Sequence, residues 1–439
     1  MRKLVIVLIV VCLGCSNLDI ENPTPRNTYL KFFEGAYSIS GVTLEEIPSG
    51  YILLGNMSVE DVLRDSSYNV VVVIETDKNG NQVQQIQLPG SYAKALKPIL
   101  VNGVVTKYVL ASDVVVTNAA ANEVSNIIIS SLKVTFFDPF FNETSSVLIA
   151  DEINPIREDY SAESITTNSN GDVYVLSTYK RSVANQSTAP AEPMIISFKP
   201  DGTIDWMKRH ELVGRTSLNS RSLHFRNNRL TWASAIANVA GDFTNSWVAI
   251  PVVEIGSIFP SYSLIGQTTS QSFIPRDIKP ARSPEFGFGV VGTYSQDTRG
   301  SKGNVFFLRV DANGQIVSGS DRYFDTASLL AGSQNNKDES IVIDNGEAIT
   351  STQDGGFALI GTFNTNNDIG KGLKDLILIR LDPTGNLIWH KTFGGGGAEV
   401  PSAIIETESG DLMIFGTSTA GNYGAMFILK TDKNGEQKN

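Results

Sequence analysis

Cysteine is almost missing from this chain. There are two, Cys12 and Cys15, both inside the first fifteen residues. A long body without cysteine has no disulfide staples and must be held by its own apolar core. The C-x-x-C spacing could suit a disulfide or a metal site, but it lies in an apolar segment with no histidine nearby. Histidine is equally scarce. His210, His224 and His390 fall at strand-like positions far apart, with no H-x-x-x-H spacing, so metal ligation or a Ser-His-Asp arrangement would need convergence in space. Basic charge is in deficit, 35 residues against 46 acidic ones. That balance excludes a nucleic-acid partner, whose phosphates require a basic face, and disfavours electrostatic binding to anionic headgroups. Cofactor motifs are absent too. Gly394–Gly397 is glycine-rich but has no following Lys-Ser/Thr, so it is not a P-loop. The Asp-x-x-Gly turns at Asp77 and Asp382 supply too few oxygen side chains for a calcium loop. No cofactor and no metal is expected.

Long apolar runs are also lacking. The first one, Leu4 to Leu13, has ten residues, well short of the roughly 20 that span a bilayer. With Arg2 and Lys3 before it, the run reads as the apolar part of an export signal. It ends in Cys12-Leu13-Gly14-Cys15, which resembles the lipobox of bacterial lipoproteins, with Cys12 standing where leucine is usual. The resemblance implies cleavage before Cys15 and acylation of that cysteine. Bacterial lipoproteins carry three acyl chains, enough for stable anchoring where one is marginal. Residues 1–14 are thus read as signal peptide, 15–26 as lipidated cysteine and tether, and 27–439 as the folded body. The tether, Ser16 to Arg26, is polar and acidic with two prolines, suited to an extended linker. Asp19 and Glu21 resemble the acidic surface-export signal of Bacteroidota lipoproteins, which implies an outer-membrane, surface-exposed protein. Without Arg2 and Lys3 the balance is 33 basic against 46 acidic residues, a formal charge of −13.

The body repeats. A turn pair is followed by four to six β-branched, aromatic or other apolar residues and then Gly or Ser. It occurs at Pro48–Gly55, Asn170–Ser177, Glu285–Gly292, Asp354–Gly361 and Ser409–Gly416, and more weakly at Val105–Ser112 and Asn227–Ser234. Start to start, the copies are 57, 65, 57, 58, 69 and 55 residues apart, a period that signals a repeat architecture. In five units a second apolar strand ends in a turn closed by Gly80, Gly202, Gly314, Gly385 or Gly435, which suits a type I turn followed by a residue of positive φ. Each unit reads as about four short strands with no helical period. Such a sheet cannot bury both faces alone. Stacking seven units radially hides the faces, so the expected fold is an all-β, seven-bladed β-propeller. The last unit stops short of a fourth strand, while Asn27–Gly35 resembles the fourth strand Leu387–Gly395 of unit six. The N-terminal strand is therefore expected to close the ring.

The strings Gln353–Thr362, Asp375–Asn386 and Ile388–Gly395 are similar to the "DGG…DxxGN…WxKxxGG" units of secreted and surface proteins of Bacteroidota and other bacteria. That resemblance implies a β-propeller and brings no catalytic residues. Trp206 and Trp389 recur at one repeat position, which points to packing between blades.

Tight turns after strands one and three should share one face of the ring. The longer connections, Asn56–Ser67, Tyr179–Pro193, Ser295–Gly303, Asn364–Lys374 and Asp325–Glu339, should share the other. Binding residues concentrate on such loops, so Asp61, Arg64, Tyr179, Arg181, Arg299, Asp368 and Lys371 are the candidate binding residues, with no catalytic residue nominated. The expected role is a membrane-anchored binding or scaffold module for a glycan or protein partner. The alternative is a carbohydrate-active hydrolase with carboxylates meeting in the central channel.

Overall fold

The computed structural model describes residues 28–61, 66–118, 127–150, 156–183, 191–212, 216–238, 246–255, 257, 260–265, 271–282, 287–295, 303–330, 344–366, 369–419 and 423–437. They form seven four-stranded antiparallel sheets set around a ring. Strand β1 (Tyr29–Phe33) comes first. Blade one is β2 (Ile39–Ile47), β3 (Gly50–Asp61), β4 (Ser66–Asp77) and β5 (Gln82–Pro89). Blade two is β6 (Tyr92–Val101), β7 (Val104–Asn118), β8 (Ile127–Phe137) and β9 (Glu143–Ile149). Blade three is β10 (Ile156–Thr167), β11 (Val173–Val183), β12 (Ala191–Phe198) and β13 (Ile204–Arg209). Blade four is β14 (Thr216–Arg226), β15 (Arg229–Ala237), β16 (Trp247–Glu254) and β17 (Ser261–Ile265). Blade five is β18 (Ser272–Pro280), β19 (Phe288–Ser295), β20 (Asn304–Val310) and β21 (Arg322–Phe324), followed by the short helix α1 (Thr326–Leu330). Blade six is β22 (Asp344–Ser351), β23 (Phe357–Asn366), β24 (Ile369–Leu381) and β25 (Leu387–Phe393). Blade seven is β26 (Glu399–Glu406), β27 (Leu412–Ser418) and β28 (Ala425–Thr431), completed by β1.

Burial follows strand position. Second and third strands are sandwiched between neighbouring blades and carry continuous apolar runs, such as Val70–Ile74 in β4 and Ala425–Leu429 in β28. Fourth strands lie at the rim and alternate, as β5 and β13 do. Trp206 packs with a cluster shared by blades three and four, and Trp389 with one shared by blades six and seven.

Closure is by the N-terminal strand. β1 pairs antiparallel with β28, from Tyr29 opposite Lys430 to Phe33 opposite Met426. Phe33, Ile39 and Tyr51 share one buried cluster with Met413, Phe415 and Met426, so the seam is packed as a core and no open edge remains there.

The third-strand turns repeat one geometry. In the turn after β24 the Gly385 N–H donates to Asp382 O at 3.0 Å, while Asp382 Oδ1 accepts from the backbone N–H groups of Thr384 and Asn386. Blade two lacks the glycine yet makes the same turn. Phe141 takes its place at φ +62° and stacks on Tyr108 with ring centroids 4.2 Å apart. Several connections expected as loops are instead hairpin extensions: Asp61 pairs with Ser66, β11 runs on to Val183, and Asn366 pairs with Ile369.

Candidate functional site in the central channel

The first strand of every blade faces a central cavity of about 430 Å³. These strands are interrupted at one common place. The register slips by a residue between Gly41 and Thr43, Ala93 and Ala95, Ala162 and Ser164, Pro275 and Asp277, Gly346 and Ala348, and Pro401 and Ala403. In β14 the corresponding slip is wider, between Arg221 and His224. A bulge leaves one residue unpaired and re-aims its side chain. In six blades the residue so placed is Val42, Lys94, Glu163, Arg276, Glu347 or Ser402; in β14 Arg221, paired with Ala233 at the edge of the wider slip, holds the equivalent place, and all seven line the cavity.

The repeat glycine or serine stands directly opposite this feature. The residue before each of these seven pairs with Gly55, Ser112, Ser177, Ser234, Gly292, Gly361 or Gly416. A Cβ at Gly361 would lie 2.4 Å from Asn345 O, and one at Gly292 would lie 2.2 Å from Ile274 O. The bulged strand presses its backbone onto the second strand, so little side chain fits there. Ser177 fits by donating its hydroxyl to Ser161 O at 2.9 Å.

Neighbouring blades pin several bulges. Asn56 exchanges two hydrogen bonds with the backbone of Ala93, Asp113 accepts from the Ala162 N–H at 2.7 Å, and Thr417 accepts from the Gly41 N–H at 2.9 Å. Each pinning residue follows a repeat Gly or Ser. Asp277 joins three blades, accepting from the Ser222 hydroxyl and from the Ile278 and Ile349 N–H groups.

Five of the seven ring positions are charged, and their signs are interleaved. Arg221 Nη1 is 3.3 Å from Glu163 Oε2, and Arg276 Nε is 3.8 Å from Glu347 Oε2. Lys94 Nζ is 3.2 Å from Asp113. Burial pushes the Glu163 carboxyl above the ordinary carboxylate range, and Arg221 and Lys94 only partly oppose it. Burial raises Glu347 likewise, against Arg276, Lys374 and Arg221. The Arg276 Nε is buried with no hydrogen-bond acceptor.

A second tier stands three residues further along each strand: Glu45, Lys97, Thr166, His224, Lys279, Thr350 and Ile405. Lys97 and Glu45 pair at 2.7 Å. Burial, then Lys279 and Lys97, hold His224 well below the usual imidazole range. Its Nε2 lies 2.5 Å from Ile278 O, and since a carbonyl only accepts, that nitrogen carries the proton. Among the described residues no Phe, Tyr or Trp side chain lines the cavity.

No protein-family model matches the chain, and no curated relative matches it. Solved structures of similar shape exist at low identity. The β-propeller domain of the Trilobed protease from Pyrococcus furiosus is 10% identical over 91% of this chain and 97% of its own, with a TM-score of 0.46. A subtype N10 neuraminidase-like protein of A/little yellow-shouldered bat/Guatemala/060/2010 is 10% identical over 92% and 98%, with a TM-score of 0.40. A Synechocystis apocarotenoid oxygenase mutant is 11% identical over 63% and 60%, with a TM-score of 0.41. No residue role is carried over from them.

The loop-face candidates are differently placed. Cys15, Arg64, Arg299 and Asp368 lie outside the described residues, as does the side chain of Asp61 at the end of β3. Tyr179 is buried in β11 and donates its hydroxyl to Glu158 Oε1 at 2.7 Å, with the Arg209 guanidinium 4.9 Å from its ring. Arg181 is exposed two residues on, and both arginines help hold Glu158 below the ordinary carboxylate range behind the dominant Tyr179 hydrogen bond. Lys371 is exposed near the start of β24, and its backbone N–H donates to Asp375 at 2.7 Å. The structure brings Tyr179 and Arg181 together and leaves Lys371 apart. Reading for exposed loops missed the channel ring: the repeat Gly or Ser is visible in the sequence, but the first-strand residue opposite it, which a ring residue follows, is known only from the register.

Proposed function

We propose that this protein is an exported, lipid-anchored binding propeller whose central channel receives a charged segment of a partner protein. The carrying observation is the bulge ring, which aims Lys94, Glu163, Arg221, Arg276 and Glu347 into one cavity. Interleaved charges select a partner of complementary pattern and repel others. Small-molecule pockets, by contrast, are mostly apolar and aromatic with few polar groups. The orphaned Arg276 Nε offers a donor that an incoming carboxylate or carbonyl would satisfy. A peptide array of acidic, basic and mixed-charge segments, probed with the full chain and with Arg276→Gln/Glu347→Gln, tests this. Binding of mixed-charge peptides weakened about tenfold or more in the variant, equivalent to about 1.4 kcal/mol, is the expected result. Equal binding by both proteins would remove the channel from the reading.

Anchoring is tested separately by labelling cells with an alkynyl fatty acid, with incorporation into wild type and none into Cys15→Ala as the expected outcome. A second reading, a carbohydrate-active hydrolase, draws on Glu163 and Glu347, two channel carboxylates with raised pKa values. Release of reducing sugar from a glycan panel that disappears in Glu163→Gln or Glu347→Gln would favour it.

A further inference from the structure

Outside the channel, where blade five hands over to blade six, two aspartates meet in the interior. Asp344 opens β22 and is 0% exposed; Asp325 immediately precedes α1 and is 1% exposed. Asp344 Oδ2 accepts from the Thr326 backbone N–H at 2.6 Å, and Asp325 Oδ2 accepts from the Ser328 N–H at 2.9 Å and its hydroxyl at 2.5 Å. The other carboxylate oxygens, Asp344 Oδ1 and Asp325 Oδ1, are buried with no donor. The Thr326 hydroxyl is 1% exposed and stands beside the Asp344 carboxyl without hydrogen-bond geometry. Among the described residues no lysine, arginine or histidine pairs with either aspartate.

The repeat shows how unusual this is. Asp344 lies three residues before its bulge. The same place holds Ile39 in blade one and Phe273 in blade five, both apolar and buried. In blade seven it holds Glu399, whose two oxygens accept from the Gly395 N–H at 3.1 Å and the Ser418 hydroxyl at 2.9 Å. A carboxylate can therefore be accommodated at this position by protein donors alone, yet at Asp344 one oxygen is left open beside a second carboxylate with the same defect.

Burying an uncompensated charge costs several kcal/mol, and two adjacent carboxylates cannot both ionise without a counter-charge. Backbone N–H groups already hold one oxygen of each. What remains is three buried hard oxygen atoms without a hydrogen-bond partner, Asp325 Oδ1, Thr326 Oγ1 and Asp344 Oδ1. The geometry points to a Ca²⁺ site formed by Asp325, Thr326 and Asp344, clamping α1 of blade five to the first strand of blade six. Ca²⁺ takes about 6–8 oxygen ligands in irregular geometry, so carbonyls and water complete its shell, whereas Mg²⁺ requires a near-ideal octahedron.

The full chain should be melted in EDTA and in about 1 mM Ca²⁺ or Mg²⁺, the concentration scale of extracellular calcium modules. Calcium is expected to raise the Tm by about 3 °C, magnesium to do much less, and calorimetry to count one site per chain. In Asp344→Asn and in Asp325→Asn the calcium-induced rise should vanish. Asp344→Asn should melt above wild type in EDTA and below it in calcium, because the amide removes repulsion but also a ligand. Three outcomes would overturn the site: no heat and no Tm change in wild type up to about 10 mM Ca²⁺, an equal response to magnesium, or an Asp344→Asn variant stabilised equally in EDTA and calcium. The last would mark a shared proton between the aspartates. Should either variant fail to fold, the wild-type calorimetry alone decides.

Discussion

Arg221 in blade four places its guanidinium 3.3 Å from the Glu163 carboxylate in blade three, joining two inner strands across the channel wall. Both residues occupy the place that follows the partner of a repeat serine, Ser234 for Arg221 and Ser177 for Glu163. The contact is therefore a product of repeat geometry, and its chemistry is set by which side chain each blade happens to carry there.

Channel carboxylates and turn carboxylates should pull stability in opposite directions with pH. Glu163 and Glu347 have raised folded pKa values, so their contribution is fully present below the unfolded carboxylate pKa and is lost as pH rises through the folded values. Asp77 and Asp382 are lowered, Asp77 chiefly by its hydrogen bonds to Asn81. Their contribution is present above the unfolded pKa and is lost as pH falls through the folded values. The two groups therefore remove stability at opposite ends, the turn carboxylates as pH falls below the ordinary carboxylate range and the channel carboxylates as it rises above it. Between about pH 5 and 7, Glu163→Gln/Glu347→Gln should lose less stability than wild type in calorimetric scans.

The repeat glycine should tolerate no side chain. Gly361→Ala drives a Cβ to within 2.4 Å of Asn345 O, a backbone atom that cannot swing away. A cost of about 2 kcal/mol is expected from such overpacking. Gly396→Ala meets nothing within 4 Å and should stay within about 0.5 kcal/mol of wild type. Urea titration measures both, and equal costs would contradict the bulge argument.

Blade seven contains a nearly buried ion pair, Lys430 with Asp411 at 3.1 Å, the two side chains 10% and 11% exposed. Asp411→Asn should cost about 3 kcal/mol by leaving the lysine charge buried. Adding Lys430→Met should recover part of that loss, because the stranded charge is then gone. A double-mutant cycle in urea gives the coupling directly, and additive single costs would show that the pair is not coupled.

Ring closure can be tested at its edge. Phe33→Ala removes a 7%-exposed side chain from the cluster joining blades one and seven and should cost about 3 kcal/mol. Deletion of Asn27–Ala36 would bare the outer edge of β28, and light scattering should show aggregation. A soluble, monomeric deletion product with an unchanged melting temperature would rule out closure by β1.

Much of the ring could be read before any coordinates. The glycine and serine markers located the second strand of every blade, and the resemblance of Asn27–Gly35 to Leu387–Gly395 anticipated the β1–β28 pairing. The blade-two turn was not legible, since Phe141 occupies the positive-φ place of a glycine and is stabilised by stacking on Tyr108. Nor was the channel. Asp61, Arg64, Tyr179, Arg181, Arg299, Asp368 and Lys371 were chosen for lying in long connections, yet Tyr179 belongs to a paired strand. Glu163, Arg221, Arg276 and Glu347 looked like ordinary charged residues of first strands, because a bulge is invisible without the register of its partner.

By itself the sequence determined the blade. Local alternation, turn residues of fixed φ and one small residue per period specify a four-stranded sheet, and seven copies specify a ring, since these are short-range properties of the chain. Only the tertiary structure decided what the ring encloses and what its interfaces bury. Lys94 and Glu347 are far apart in sequence and share a cavity because radial stacking brings every bulge to one axis. Asp325 and Asp344 meet because blade five ends where blade six begins. Such contacts follow from closing the circle, and no stretch of sequence short enough to be read locally contains them.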